Sequence, residues 1–138
     1  MRTSRFRTSL IPVILLLLVP IAPYVSQAAP GTPIAKVIPL QSSGTEVTPV
    51  LSGPPESVTM KSGLVVLAPG KSVGKHSTEQ NEELLIVFEG QGEMAFSDGS
   101  KLPVRADSAL YCPPHTEHNV TNTGTGLLRY VYVVAKAK

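Results

Sequence analysis

Two imidazoles and a carboxylate, His76, Glu83 and His118, are the side chains of this 138-residue chain whose types and spacing could do chemistry. In an extended chain, residues two apart face the same side. His76 then shares a face with Thr78, Glu83 with Leu85 and Val87, and His118 with Val120. If each face points inward, two imidazoles and a carboxylate project into one apolar cavity. Neutral imidazole and carboxylate suit a divalent metal (Fe, Mn, Zn, Ni or Cu), and two His with one carboxylate leave positions open for substrate or oxygen. Around this set stand secondary candidates. His115 could supply a further imidazole, and Gln80 or Asn81 an oxygen; Arg105 or Arg129 could meet an anionic substrate. Tyr130 and Tyr132, two apart, are read as packing one face of the last strand rather than lining a pocket mouth. Cys112, the one cysteine, has no partner for an internal disulfide and reads as a small buried hydrophobe beside Pro113.

The elements that must position these side chains are short strands. Val58 to Lys61, Leu64 to Leu67, Glu93 to Phe96, Lys101 to Val104, Ala109 to Cys112, His118 to Thr121 and Leu127 to Val134 carry strand patterns. Leu84 to Phe88 is a continuous apolar run, which predicts a strand with little exposure on either face. Turn signals recur every eight to twelve residues, among them Pro69-Gly70, Gly90-Gln91-Gly92, Pro113-Pro114 and the two-residue hairpin signal Asp98-Gly99. No segment holds a helical period for more than about one turn. Many short strands with Gly and Pro between them predict an all-β sandwich or barrel, a jelly roll being one solution.

Before this block, residues 29–57 are rich in Pro, Gly, Ser and Thr and read as an extended arm with an edge strand over Thr45 to Leu51. At the start, Arg2, Arg5 and Arg7 precede the apolar run Leu10 to Val19, then Pro20, Pro23 and Ser26-Gln27-Ala28-Ala29. A basic head, a short apolar core and a small-residue exit describe a signal peptide over residues 1–28, cleaved after Ala28, with no stable membrane insertion afterwards. Export places the protein in the periplasm or outside the cell. Removing three arginines from 12 basic residues against 10 acidic leaves nine against ten. A near-neutral domain without a basic cluster offers nothing to nucleic acid.

The two chemistry-bearing segments resemble the paired motifs of the cupin superfamily. The first reads G-x5-H-x-H-x3,4-E-x6-G, with Gly70, His76, Glu83 and Gly90 in place. The second reads G-x5-P-x-G-x2-H-x3-N, with Pro113, His118 and Asn122 in place. The resemblance covers residues 58–134 and implies a double-stranded β-helix, a jelly-roll barrel over 58–138, and a homodimer. It also implies a metal held by His76, Glu83 and His118. Three positions depart from it. Thr78 stands where the first motif has its second His, and Asp107 and His115 stand where the second motif has glycines. Three ligands therefore replace the usual four, with His115 the nearby imidazole that could restore the fourth. The resulting expectation is an exported protein binding a divalent metal and a small molecule in the barrel. Its alternatives are a metal-dependent enzyme of non-haem dioxygenase or sugar isomerase type, and a degenerate, metal-free binding or interaction module. Cupins host many unrelated functions, so the family does not choose among them.

Overall fold

The run Asn81–Glu89 (β4) alternates burial residue by residue: Glu83, Leu85 and Val87 point in, while Glu82, Leu84, Ile86 and Phe88 point out. A computed structural model describes residues 31–138, and this strand is paired on both sides within one of its two sheets. The expected signal segment and its cleavage after Ala28 lie outside the described residues. So the apolar run is not buried on both sides. Leu84, Ile86 and Phe88 are 39–41% exposed. A purely apolar strand cannot report which of its faces meets the core, and tertiary packing chose the one carrying Glu83.

Eight further strands complete the described fold: β1 (Val47–Ser52), β2 (Lys61–Leu67), β3 (His76–Ser77), β5 (Gln91–Phe96), β6 (Lys101–Arg105), β7 (Ser108–Cys112), β8 (Glu117–Asn122) and β9 (Leu128–Lys136). They form a five-stranded sheet of order β1-β2-β9-β4-β7 and a four-stranded sheet of order β3-β8-β5-β6, every pairing antiparallel. From β6 to β9 each connection switches sheet, which winds the chain as a double-stranded β-helix. Val58 to Met60 do not join a strand; β2 begins at Lys61. The hairpin at Asp98-Gly99 forms with a four-residue loop, Ser97 to Ser100, closed by Phe96 N–H donating to the Ser100 carbonyl at 2.9 Å. The Ser100 side chain first, and then Ser100 N–H donating to the Asp98 carboxylate at 2.8 Å, draw that carboxyl below the ordinary carboxylate range.

The core lies between the sheets. Val65, Leu67, Leu85, Val87, Met94 and Val120 are each at most 2% exposed. Cys112 is buried with them, its Sγ 3.4 Å from the sulfur of Met94. Burial, then the charge of Glu83, pushes its thiol up to about 11, so it remains a protonated, unreactive packing group. The segment before β2 supplies β1 at the sheet edge. Further back the chain crosses the outer face, where the Arg129 guanidinium donates to the Leu40 carbonyl at 3.0 Å. Leu64 and Val131 point outward yet are buried, whereas the β4 side of the same face stays open.

Candidate metal centre

Register across both sheets assembles the site. In the four-stranded sheet His76 pairs directly with His118, and His118 with Phe96 on its other side. In the five-stranded sheet Glu83 lies between Val134 of β9 and Cys112 of β7. The carboxylate therefore comes from one sheet and both imidazoles from the other, and the sandwich closes them together. His118 Nε2 is 3.1 Å from Glu83 Oε2, and His76 Nε2 is 4.0 Å from the same oxygen. The imidazole centroids stand 4.4 Å apart, tilted by 60°. One ligand atom from each residue falls within 4.8 Å of the others. Nitrogen and oxygen ligands about 2.0–2.2 Å from a tetrahedral or octahedral metal are themselves about 3 to 4 Å apart, so the spacing fits a divalent ion.

The backbone fixes which nitrogen faces the site. His76 Nδ1 is 2.9 Å from the Gly74 carbonyl, and His118 Nδ1 is 3.2 Å from the Thr116 carbonyl. A carbonyl only accepts, so each Nδ1 carries the proton and each Nε2 lone pair is directed toward Glu83. With His118 at 1% and the Glu83 side chain at 8% exposure, their contact is shielded; the His76 side chain, at 45%, forms the solvent side. Burial disfavours the imidazolium of His118. The hydrogen bond to Glu83, the Thr116 carbonyl and the carboxylate charge outweigh that and raise its pKa. A proton on His118 Nε2 and a cation therefore compete for the same position between His118 and Glu83.

Thr78 is not a ligand. Its hydroxyl donates to the Pro113 carbonyl at 2.8 Å and accepts from Thr116 N–H at 2.9 Å, and its own N–H donates to the Thr116 carbonyl at 3.1 Å. The residue clamps the loop after β3 to the loop before β8, so the two imidazole-bearing segments are held by the position where the motif has a further His. We expect Thr78→Val, which leaves a donor and an acceptor unmet, to cost about 2–4 kcal/mol in chemical denaturation. Zn²⁺ affinity should remain unchanged; a large loss of affinity at unchanged stability would instead make Thr78 a ligand.

His115 does not reach the cluster. It lines a separate surface depression with Phe96, Asp98, Tyr111 and Glu117, on a turn where its φ is 59° and its N–H donates to the Glu79 carbonyl at 2.7 Å. Asp107, at the other glycine position of the second motif, also has positive φ, 60°. Both motif glycines therefore mark left-handed backbone, which Asp and His tolerate better than β-branched residues do. Asn81 reaches the cavity beside the cluster with its amide donating to the Thr78 carbonyl at 3.1 Å. Arg129 lies over the Phe88 ring on the outer face.

The cavity beside the cluster has a volume of about 330 Å³. Tyr130 and Tyr132 line it, with Val47, Val65, Val73 and Val134. Period two had assigned both tyrosines to packing; what it could not show is that the face they share is the one continuing Glu83's row. Tyr132 has room because Gly63 stands opposite it in the register: a Cβ there would lie 2.6 Å from the ring. Burial first, then the charge of Glu83, raises both phenols above their ordinary pKa, so they stay neutral.

Comparison with known proteins agrees with the geometry. A family model described as "Cupin domain" matches residues 63–134. An "Oxalate-binding protein" of Thermotoga maritima is 29% identical over 68 residues, 49% of this chain and 55% of that protein, so the chain spans about half of that relative. Among solved structures, a Cupin 2 conserved barrel domain protein from Salinispora arenicola superposes with a TM-score of 0.59 at 24% identity, over 77% of this chain and 90% of that one. A "predicted oxalate decarboxylase" of Thermotoga maritima gives 0.54 at 20% identity, over 74% and 100%. An RmlC-like cupin family protein with a double-stranded β-helix fold, from Methanocaldococcus jannaschii, gives 0.59 at 19%, over 75% and 92%. With the two motifs brought together in one barrel through the pairing of His76 with His118, and the family match spanning more than half its length, this chain belongs to the cupin domain family.

Proposed function

We propose that this protein is an exported cupin that holds a divalent metal on His76, Glu83 and His118 and binds a small acid at the metal's open positions. The convergence of the three ligand atoms within 4.8 Å carries the reading. Three protein ligands leave at least one coordination position for a ligand, and the name of the Thermotoga maritima relative supports an acid there. The export half rests on the basic, apolar and small-residue succession of residues 1–28. Binding stabilises a native state by RT ln(1 + [L]/Kd). Zn²⁺ or Mn²⁺ at 100 times its Kd therefore contributes about 2.7 kcal/mol, and the melting temperature should rise with metal concentration. A flat response across divalent metals, with no metal found in the purified protein, rejects the reading.

The same experiment has a pH signature. A raised His118 pKa stabilises the metal-free protein fully at pH values below the ordinary histidine pKa. That contribution disappears as pH rises through the raised value. Metal competes for the same position, so its apparent affinity should weaken on acidification by about tenfold per pH unit per proton displaced.

We also propose that two copies pair through the open half of the five-stranded sheet. Leu84, Ile86 and Phe88 point outward there beside Tyr111, 56% exposed. Glu82 lies at one end of this row, accepting from Tyr111 at 3.2 Å, and Arg129 at the other, over Phe88. An antiparallel two-fold arrangement buries the apolar row against itself and sets Arg129 of each copy toward Glu82 of the next. Light scattering should give a dimer for the wild type and a monomer for Ile86→Lys; a wild-type monomer at high protein concentration contradicts it.

A further inference from the structure

Resting on the metal reading above, we propose that the small acid bound here carries an apolar body, lodged between the metal and a valine–tyrosine wall, and is not a wholly polar diacid. His76 and Glu83 share the cavity lining with Val47, Val65, Val73 and Val134 and with the rings of Tyr130 and Tyr132. At roughly 30 Å³ per water-sized group, a volume of about 330 Å³ takes on the order of ten non-hydrogen atoms. A diacid the size of oxalate leaves much of that wall against water. Burying it is favourable only for an apolar group.

The charge inventory points the same way. Apart from the histidines, the cation lining the cavity is Lys75, and its ammonium is 2.5 Å from Glu117. A distal carboxylate would have to compete with Glu117 for this one ammonium. The remaining polar lining comprises Ser77, Thr78 and Asn81, with the Thr78 hydroxyl and the Asn81 amide committed to backbone partners, and the neutral phenol hydroxyls of Tyr130 and Tyr132. Beyond His76, Glu83 and Lys75 the lining therefore presents apolar or neutral surface.

Two features argue that the wall is built. Gly63 is required for the Tyr132 ring to stand where it does, since any side chain would overlap it. Val47 belongs to β1, so the edge strand closes the cavity as well as extending the sheet. A single substitution at Val47, 40% exposed on an edge strand, alters the wall without disturbing the core.

The test is a titration of Zn²⁺-loaded protein with acetate, butyrate and hexanoate, read by calorimetry, in wild type and Val47→Asp. Each methylene buried against the wall should tighten binding about fourfold, so affinity should climb steeply along the series. Val47→Asp, which puts a carboxylate into the wall, should flatten or reverse that climb. Equal affinity for acetate and hexanoate in a protein that binds Zn²⁺ overturns the apolar-body proposal alone. Failure to bind Zn²⁺ overturns the metal reading and this proposal with it.

Discussion

Glu83→Gln should abolish divalent-metal binding while leaving the barrel folded. The substitution keeps the volume of the side chain and removes its charge at the one position where the five-stranded sheet reaches the imidazoles. Altering groups that merely orient metal ligands lowers affinity by about 10–100-fold. Loss of a charged ligand should exceed that, so we expect at least a ~100-fold weakening for Zn²⁺ or Mn²⁺ and no metal-dependent rise in melting temperature. The metal-free variant should differ from wild type by only about 1 kcal/mol, because the Gln amide can still donate to His118 Nε2. It should also lose the acid-side stabilisation of the metal-free protein, since the carboxylate hydrogen bond and charge that raise the His118 pKa are gone. Calorimetric titration and melting curves at two pH values measure all three quantities. Wild-type metal affinity in Glu83→Gln would remove the carboxylate from the site.

Asn122→Ala should cost about 3–5 kcal/mol, from the buried Leu67 carbonyl left unmet at roughly 1–3 kcal/mol and two part-buried bonds lost at about 1 kcal/mol each, with His76, Glu83 and His118 unaltered. Asn122 is 1% exposed. Its amide nitrogen donates to the Leu67 carbonyl and to the Gly126 carbonyl, both at 2.8 Å, and its oxygen accepts from Gly124 N–H at 2.9 Å. One side chain thus ties the end of β2 to the turn between β8 and β9. Domains of this size have total stabilities of about 5–15 kcal/mol, so the variant should be close to unfolding under physiological conditions. Asn122→Asp separates the contributions. It keeps the acceptor for Gly124 and replaces both donated bonds with an oxygen facing two carbonyls, and it should be at least as unstable as the alanine variant. A denaturation midpoint near wild type for Asn122→Ala would show that water or a repacked loop can satisfy the three groups.

These two residues illustrate different uses of the motif positions. Glu83 faces the cavity. Asn122 holds the loop that lets β9 return between β2 and β4. The left-handed turns at Asp107 and His115 serve the same structural end. Spacing alone could not divide the motif in this way, because hydrogen-bond partners such as Leu67, 55 residues away in sequence, are set by which strands become neighbours.

Local chemistry determined much of this protein without reference to its tertiary structure. Turn residues at regular intervals and strand-forming runs between them specify a β fold, and every described strand overlaps an expected one except the two-residue β3. Side-chain alternation along each strand, a property of the backbone alone, put Glu83 on a face with Leu85 and Val87, and His118 on a face with Val120. Tertiary structure decided the remainder. It selected the inner face of β4 from an apolar run with no local preference, and it spent the Thr78 hydroxyl on backbone groups of another loop. It also turned His115 away to a different surface and brought Tyr130 and Tyr132 into the cavity. Each of these depends on which strands pair and in what register, and pairing is a global choice made by burying the most apolar surface with the fewest unmet hydrogen bonds. The His76–Glu83–His118 cluster lies on that boundary. Sequence supplies three suitable ligands, and only the closure of one sheet over the other places a carboxylate 3.1 Å from one imidazole and 4.0 Å from the other.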